Sequence, residues 1–264
     1  MEKVLLSVAP VSAADNDVEP RRVAADVLDC VKAGAGMVHL HVRDRKGRLT
    51  DDLTDFRETL RLIRAKSDVV IEASTGGISG LDIRQRCAPL SLPEVECASL
   101  NVGSVNLGDA VYVNTPADVE FCAGEILRTG KTPDIEVFEI GMIASALKLC
   151  EKLPFTKPLL FSIVLGHRGA APPIIEALTV LRSFIPQDML WGITHYGRQS
   201  NDLIAAAVAM GASVVRVGFE DSAVLDCGCS AASNAPIIER FAGLLRALGK
   251  EPMSPAEARA LLRI

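Results

Sequence analysis

The stretch Val38-His39-Leu40-His41-Val42-Arg43-Asp44 decides how the chain is read. It follows a helix-like run, Arg21 to Ala33, and a Gly34-Ala35-Gly36 breaker. It is therefore predicted to be a buried β-strand that carries two imidazoles, a guanidinium and a carboxylate to its carboxyl end. Residues two apart in a strand share a face, with Cα atoms ~6.6 Å apart. His39 and His41 thus look the same way, at a spacing that lets both reach one metal ion; the pair could equally be hydrogen-bonded core histidines. A third ligand has to come from elsewhere in the chain.

Outward from this strand, short apolar runs alternate with amphipathic Ala/Leu/Arg-rich segments, the pattern of a parallel sheet with crossover helices. The runs are Val4 to Val8, Met37 to Val42, Val69 to Ala73, Cys97 to Leu100, Asp134 to Phe138, Leu159 to Leu165, Leu190 to Thr194 and Ser213 to Val217. Helices are predicted at Arg21 to Ala33, Leu53 to Ala65, Pro116 to Thr129, Met142 to Lys152, Pro173 to Ser183, Asn201 to Met210 and Ala235 to Leu248. Pro89 and Pro93 break the third connection, Leu81 to Glu96. Strands of this number and order favour a closed (β/α)8 TIM barrel over an open doubly wound sheet, and no glycine-rich nucleotide motif follows the first strand. A chain of 264 residues, 49% of them hydrophobic, suits one such barrel, so residues 1–264 are expected to form a single catalytic domain.

A net charge of −5, no basic cluster and only 4% aromatic residues disfavour nucleic acid and point to small molecules. With no charged leader ahead of an apolar run and no stretch of spanning length, the chain is expected to be soluble and unprocessed, without a membrane partner. Seven cysteines, an odd number without a CxxC pair, suggest reduced thiols in the cytoplasm. Cys227-Gly228-Cys229 is only a weak hint of a redox or metal role.

Barrel chemistry belongs on the loops after the strands' carboxyl ends, and the polar residues here gather there. In a closed barrel, strands eight and two both flank strand one. Glu220, ending strand eight, can therefore complete a His39, His41 and Glu220 metal site with an open position, or else pair with Arg216 at the rim. Asp221 beside it is either a proton-moving group or a loop carboxylate. Strand alternation puts Arg216 on the face of Gly218 and Glu220; buried there it needs a partner, for which Glu136 is the candidate. Ser74-Thr75-Gly76-Gly77 reads as a carboxylate nest or a bare tight turn. Ser99 and Asn101 end strand four, and Asn101 is either a substrate contact or an amide satisfied by backbone. His167 and Arg168 could hold an anionic substrate tail or lie solvated on the rim. His195 reads as a capped strand-end histidine, and Arg198 as a phosphate-loop or surface arginine.

Together the motifs resemble the β-keto acid cleavage enzymes, a family of zinc-dependent barrels. The likeness is carried by Val38 to Asp44, Ser74-Thr75-Gly76-Gly77, Ala98-Ser99-Leu100-Asn101, Ile135-Glu136-Val137-Phe138, Arg216-Val217-Gly218-Phe219-Glu220-Asp221, Ala232-Ser233-Asn234 and Ser254 to Arg259, in the family's order along the chain. The resemblance implies a Claisen-type exchange in which a β-keto acid and acetyl-CoA give acetoacetate and a new acyl-CoA. It implies Zn2+ on His39, His41 and Glu220, with Asp221 as base and Arg216 and Glu136 as its charged supports. Ser74, Thr75, Gly76, Ser99 and Asn101 fall where the family holds the keto acid, and a homo-oligomer, dimer or tetramer, is implied too. Two segments depart from the pattern. Pro10-Val11-Ser12-Ala13-Ala14-Asp15 stands where the family has a Thr-Gly-Ala type turn followed by an acid, and Gly166-His167-Arg168-Gly169 stands where a more neutral turn is expected. They imply a preference for an uncharged or anionic side chain on the keto acid. Two other readings remain at this level: a CoA-independent metal aldolase or hydrolase of a keto acid, and a non-catalytic metal- or metabolite-binding barrel.

Overall fold

Each barrel strand buries both faces, and the composition of the two faces explains the architecture. The computed structural model describes residues 2–226 and 228–264. Eight parallel strands form the barrel: β1 (Lys3–Val8), β2 (Met37–Leu40), β3 (Val70–Ala73), β4 (Cys97–Asn101), β5 (Thr132–Val137), β6 (Leu160–Leu165), β7 (Leu190–His195) and β8 (Val214–Val217). They pair in sequence order, and β1 closes the ring on β8 with Leu5 opposite Val214 and Ser7 opposite Arg216. The outward face of the strands, including Val4, Leu6, Val38, Ile71, Ile135 and Val215, packs under the helices in the main core.

The inward face changes character along the barrel axis. Leu5, Met37, Val70, Cys97, Leu160 and Val214 form an apolar lower layer, closed from below by Ala258 and Leu262 of the last helix (Pro255–Leu262). Two residues further along the strands, the same face carries Ser7, His39 and Glu72, all buried, and Arg216, mostly buried. The period of two thus hands the barrel from a packed plug to a polar floor at its carboxyl-terminal end.

The helices begin where the chemistry permits. Pro116 and Pro255 each occupy a first-turn position that needs no N–H, behind capping boxes made by Thr115 with Asp118 and by Ser254 with Glu257. The broken third connection forms only a four-residue helix, Ile83–Arg86, and a 3-10 turn, Ala88–Ser91, around Pro89. Beyond the predicted elements, Val105–Leu107 and Ala110–Tyr112 form a hairpin over the mouth, and Val224–Asp226 pairs with Cys229–Ser230. Cys227 lies outside the described residues; Cys229 is exposed and does not line the cavity described below. No helix among the described residues is long and apolar enough to cross a membrane.

Candidate active site

Three donors converge at the carboxyl-terminal mouth. His39 is the third residue of β2, and His41 lies one residue past that strand's end. Their rings meet edge to face with centroids 5.2 Å apart. Glu220 Oε1 lies 3.2 Å from His41 Nε2 and 3.7 Å from His39 Nε2, and the three ligand atoms all fall within 4.8 Å of one another. Three donors each ~2.0–2.2 Å from one ion at tetrahedral angles sit ~3.3–3.6 Å apart, so the set fits a divalent ion.

Glu220 does not arrive by strand alternation. β8 ends at Val217, and a sharp turn at Gly218, with φ +140°, swings Glu220 back toward the histidines. A Cβ on Gly218 would stand 2.3 Å from Ala9 O, so the turn packs backbone against the end of β1, and Glu220 N–H donates to that same Ala9 carbonyl. Asn234, fully buried, locks the arrangement: its Oδ1 accepts from Phe219 N–H, and its Nδ2 donates to Pro10 O and to Asp26. The Ala232-Ser233-Asn234 motif thus ties the β1 and β8 loops together.

Arg216 is the hub of the floor. It donates from Nη1 to Glu136 Oε1 at 3.0 Å, from Nη2 to Glu220 Oε1 at 3.3 Å, and through Nε and Nη2 to both oxygens of Asp221 at 3.1 and 2.7 Å. Burial opposes its charge, but Asp221, Glu220 and Glu136 more than offset this and hold the guanidinium well above its ordinary range. Burial also opposes the charge on Glu220, yet His41, His39 and Arg216 hold its carboxyl well below the usual range. At Asp221 burial wins over Arg216, and the carboxyl is pushed up. Two adjacent acids therefore have opposite tendencies: one suited to stay an anion, the other to carry a proton.

Glu72 is the partner that the motif around His39 does not reveal. It sits opposite His39 in the β2/β3 register, with Oε2 3.3 Å from His39 Nδ1, although the pair is not aligned for a full hydrogen bond. Burial opposes charge on His39; Glu72, ahead of Glu220, overcomes it and pushes the imidazole up to about 9. A field that draws a proton to this position also favours a divalent cation there. The signal in the sequence is a glutamate inside an otherwise apolar strand, Val70-Ile71-Glu72-Ala73.

His39, His41, Glu136, Arg216, Glu220 and Asp221 line a cavity of about 730 Å³, with Glu72 behind its wall. Ser74, Gly76, Gly77, Asn101, His167 and Arg168 line it, as do Arg43 and Tyr112; Thr75 and Ser99 do not. Thr75 N–H donates to Ser99 Oγ and its hydroxyl to Ser99 O, so the two brace each other behind the wall. In the Ser74 to Gly77 turn, read from sequence as a carboxylate nest or a bare tight turn, the N–H groups of Thr75 and Gly76 are taken by Ser99 and Ser74. Asn101 donates from Nδ2 to Glu136 Oε2 at 2.7 Å, while its buried Oδ1 has no partner. The backbone-satisfied alternative for Asn101 therefore does not hold. His167 stacks on Tyr196 at 3.8 Å, and burial, then Arg216, pushes it down to about 4, which leaves it neutral near pH 7. Arg168 is exposed and paired with Asp109.

Arg198 is neither a phosphate anchor nor a surface group. It is 1% exposed, donates to Asn201 and Val224 O, and lies over the Phe241 ring. His195 is buried with Nδ1 unpartnered and does not line the cavity, and Asp15 is turned to Arg22 while Ala13 faces the cavity.

A closed parallel barrel with a His2Glu donor set and a neighbouring acid at its carboxyl-terminal mouth defines a (β/α)8-barrel enzyme with a candidate metal centre. Comparison with known proteins narrows this class. The profile of the beta-keto acid cleavage enzymes matches residues 3–264. A 3-keto-5-aminohexanoate cleavage enzyme of Fusobacterium nucleatum is 35% identical, over 100% of this chain and 99% of that protein. A 3-oxoadipate:acetyl-CoA acetyltransferase of Cupriavidus necator is 33% identical, over 94% of this chain and 89% of that protein. The solved ternary complex of ObcA with a C4-CoA adduct and oxalate shares the fold, with a TM-score of 0.80 at 19% identity over 94% of this chain and 67% of that one. The chain belongs to the β-keto acid cleavage enzyme family and is an acyltransferase.

Proposed function

We propose that this enzyme exchanges acyl groups between a β-keto acid and acetyl-CoA, giving acetoacetate and a new acyl-CoA, with zinc held by His39, His41 and Glu220. One observation carries the reading: Asp221, whose carboxyl burial pushes up, is gripped at both oxygens by Arg216 immediately beside the three-donor set. A storage site has no need of such an acid. Zinc there would supply Lewis-acid polarisation of the keto group, which acidifies the carbon between ketone and carboxylate.

Asp221 takes the C2 proton of the keto acid, and Arg216 steadies the charge that moves between them. C2 then forms a bond to the acetyl carbonyl carbon, releasing CoA thiolate. The thiolate adds to the original C3 carbonyl, and the C2–C3 bond breaks. The acyl fragment leaves as its CoA thioester, and C2, now in acetoacetate, recovers the proton from Asp221. Of the expected substrate contacts that face the cavity, Ser74 and Asn101 bring polar side chains to the keto acid beside Gly76 and Gly77, and Asn101 Oδ1, an acceptor without a partner, supports such a role. The His167–Tyr196 stack forms a flat wall beside them. Thr75 and Ser99 act behind the wall, as braces of Ser74.

A homo-oligomer belongs to this reading and is supported by exposed Ile174, Ile175, Val180 and Phe184 along one helix, Ile175–Phe184, and its entry. The six described cysteines are free thiols, in keeping with a reducing cytoplasm.

The test is an assay of zinc-loaded protein with acetyl-CoA and a panel of β-keto acids, beside Glu220→Gln and Asp221→Asn. Acetoacetate and a matching acyl-CoA are expected, lost in both variants, while Glu220→Gln alone loses zinc. Keto acid cleavage that proceeds without acetyl-CoA would move the assignment to an aldolase or hydrolase.

A further inference from the structure

The acids of the cavity are all committed to one guanidinium, while the cavity's outer cations are not all paired. The carboxylates among its described lining residues are Glu136, Glu220 and Asp221, and all three are bonded to Arg216 at the floor. The remaining charged lining residues, Arg43, Lys46, Arg48 and Arg168, stand on the loops and are all cationic. Arg48 is paired with Asp44 and Arg168 with Asp109. Neither Arg43 nor Lys46 has an ion pair among the described residues. Arg43 is half-buried; its Nη1 donates to Gly47 O at 2.6 Å, and its Nε is buried without a partner. The two carboxylates whose charge reaches it, Glu220 and Asp15, are already engaged, by His41 and Arg216 and by Arg22.

A half-buried guanidinium with open donors calls for an oxyanion, and a carboxylate can take two of its N–H groups at once. An ammonium in the same space would meet only like charge, since the floor acids are committed. We propose that the cavity selects β-keto acids bearing a second carboxylate at the end away from the keto acid group, with Arg43 as the residue that receives it and Lys46 reinforcing the field. This rests on the acyl exchange proposed above. The phosphates of acetyl-CoA offer similar oxyanion chemistry, so the test must tell the two sources apart.

Three six-carbon acids of different charge serve as probes with the zinc-loaded enzyme and acetyl-CoA: 3-oxoadipate, 3-oxohexanoate and 3-keto-5-aminohexanoate. kcat/KM for the diacid is expected to exceed that for the uncharged acid by about ten- to a hundredfold, with the amine last. In Arg43→Gln the ratio of diacid to uncharged acid should fall to within about threefold of one, mainly through KM of the diacid, and Arg43→Lys should restore part of it. Lys46→Ala, at an exposed position, should lower the same ratio if Arg43→Gln fails to fold. Equal turnover of diacid and uncharged acid overturns the proposal while leaving acyl exchange intact. A raised KM for acetyl-CoA in the variants with the acid ratio unchanged also overturns it and gives the cations to the CoA phosphates. Calorimetric Kd values for the three acids decide the matter without turnover. Diacid-selective binding with no acetoacetate from any acid would sink acyl exchange and keep the anion receptor, whereas equal binding would sink the receptor.

Discussion

Gly218→Ala tests whether one backbone turn creates the site. At φ +140° an L-residue is strained, at a cost of about 1–3 kcal/mol. The new Cβ would lie 2.3 Å from Ala9 O and 2.8 Å from Ala9 C, about 1 Å inside an ordinary C···O contact. Because the neighbour is strand backbone, either β1 or the turn must move, and the sum should reach about 2–4 kcal/mol. For a chain of this size that is a fall in Tm of roughly 4–8 °C. The turn also carries Glu220 and Asp221, so a shift of ~1 Å should weaken zinc binding more than tenfold and lower kcat about a hundredfold. Gly130→Ala is the control. Its φ is +68° with no atom within 4 Å of a Cβ, so it should lose only about 1 kcal/mol and keep its zinc. Thermal unfolding and competition with a zinc-binding dye read both quantities. If Gly218→Ala behaves as Gly130→Ala does, the turn does not build the site and the reasoning fails.

Three further outcomes follow from the geometry. Glu72→Gln removes the charge that orients His39, and zinc affinity should drop about 10- to 100-fold in the competition assay with little change in the far-UV spectrum. Burial, with Arg198 nearby, pushes His195 down to about 4, below its unfolded value of about 6.5, so protons favour the unfolded chain. Its share of stability is complete above pH ~6.5 and is lost as pH falls toward 4, at ~1.4 kcal/mol per unit; urea midpoints of His195→Gln should show a shallower acid slope, and an identical slope would refute this. Leu262→Ala opens the plug below the barrel and should cost about 2–5 kcal/mol in urea unfolding, with the zinc affinity of the folded protein unchanged.

How much of this was legible depended on the range of the signal. The eight barrel strands and their order follow from apolar runs, because a strand buried on both faces needs no partner to announce itself. The end of β2 that carries chemistry moved, from the expected Val42 back to Leu40, while β8 kept its expected end. β2 stops at Leu40 and β8 at Val217, so His41 and Glu220 sit on irregular backbone that periodicity cannot place. Gly108-Asp109 between Val105 to Leu107 and Ala110 to Tyr112 is a two-residue hairpin signal, but its strands of three residues fall below the length at which alternation is readable. Thr75 and Arg198 show the opposite limit: their types suggest ligand contacts, and only three-dimensional packing turns them to Ser99 and Val224.

The polar floor explains why fold and site cannot be separated here. Glu72, Glu136, Glu220 and Asp221 are carboxyl groups brought together by strand register and one turn, and Arg216 alone binds three of them. Removing such charges from water costs several kcal/mol each unless they are paired, and one guanidinium cannot pair them all. The apolar layer beneath and the helices outside hold the barrel closed against that cost. A divalent ion held by His39, His41 and Glu220 would offset part of it and so would couple stability to metal binding. At a free zinc concentration of 100 Kd the gain would be ~2.7 kcal/mol, so the same cluster that makes the floor costly would make a zinc-loaded enzyme more stable.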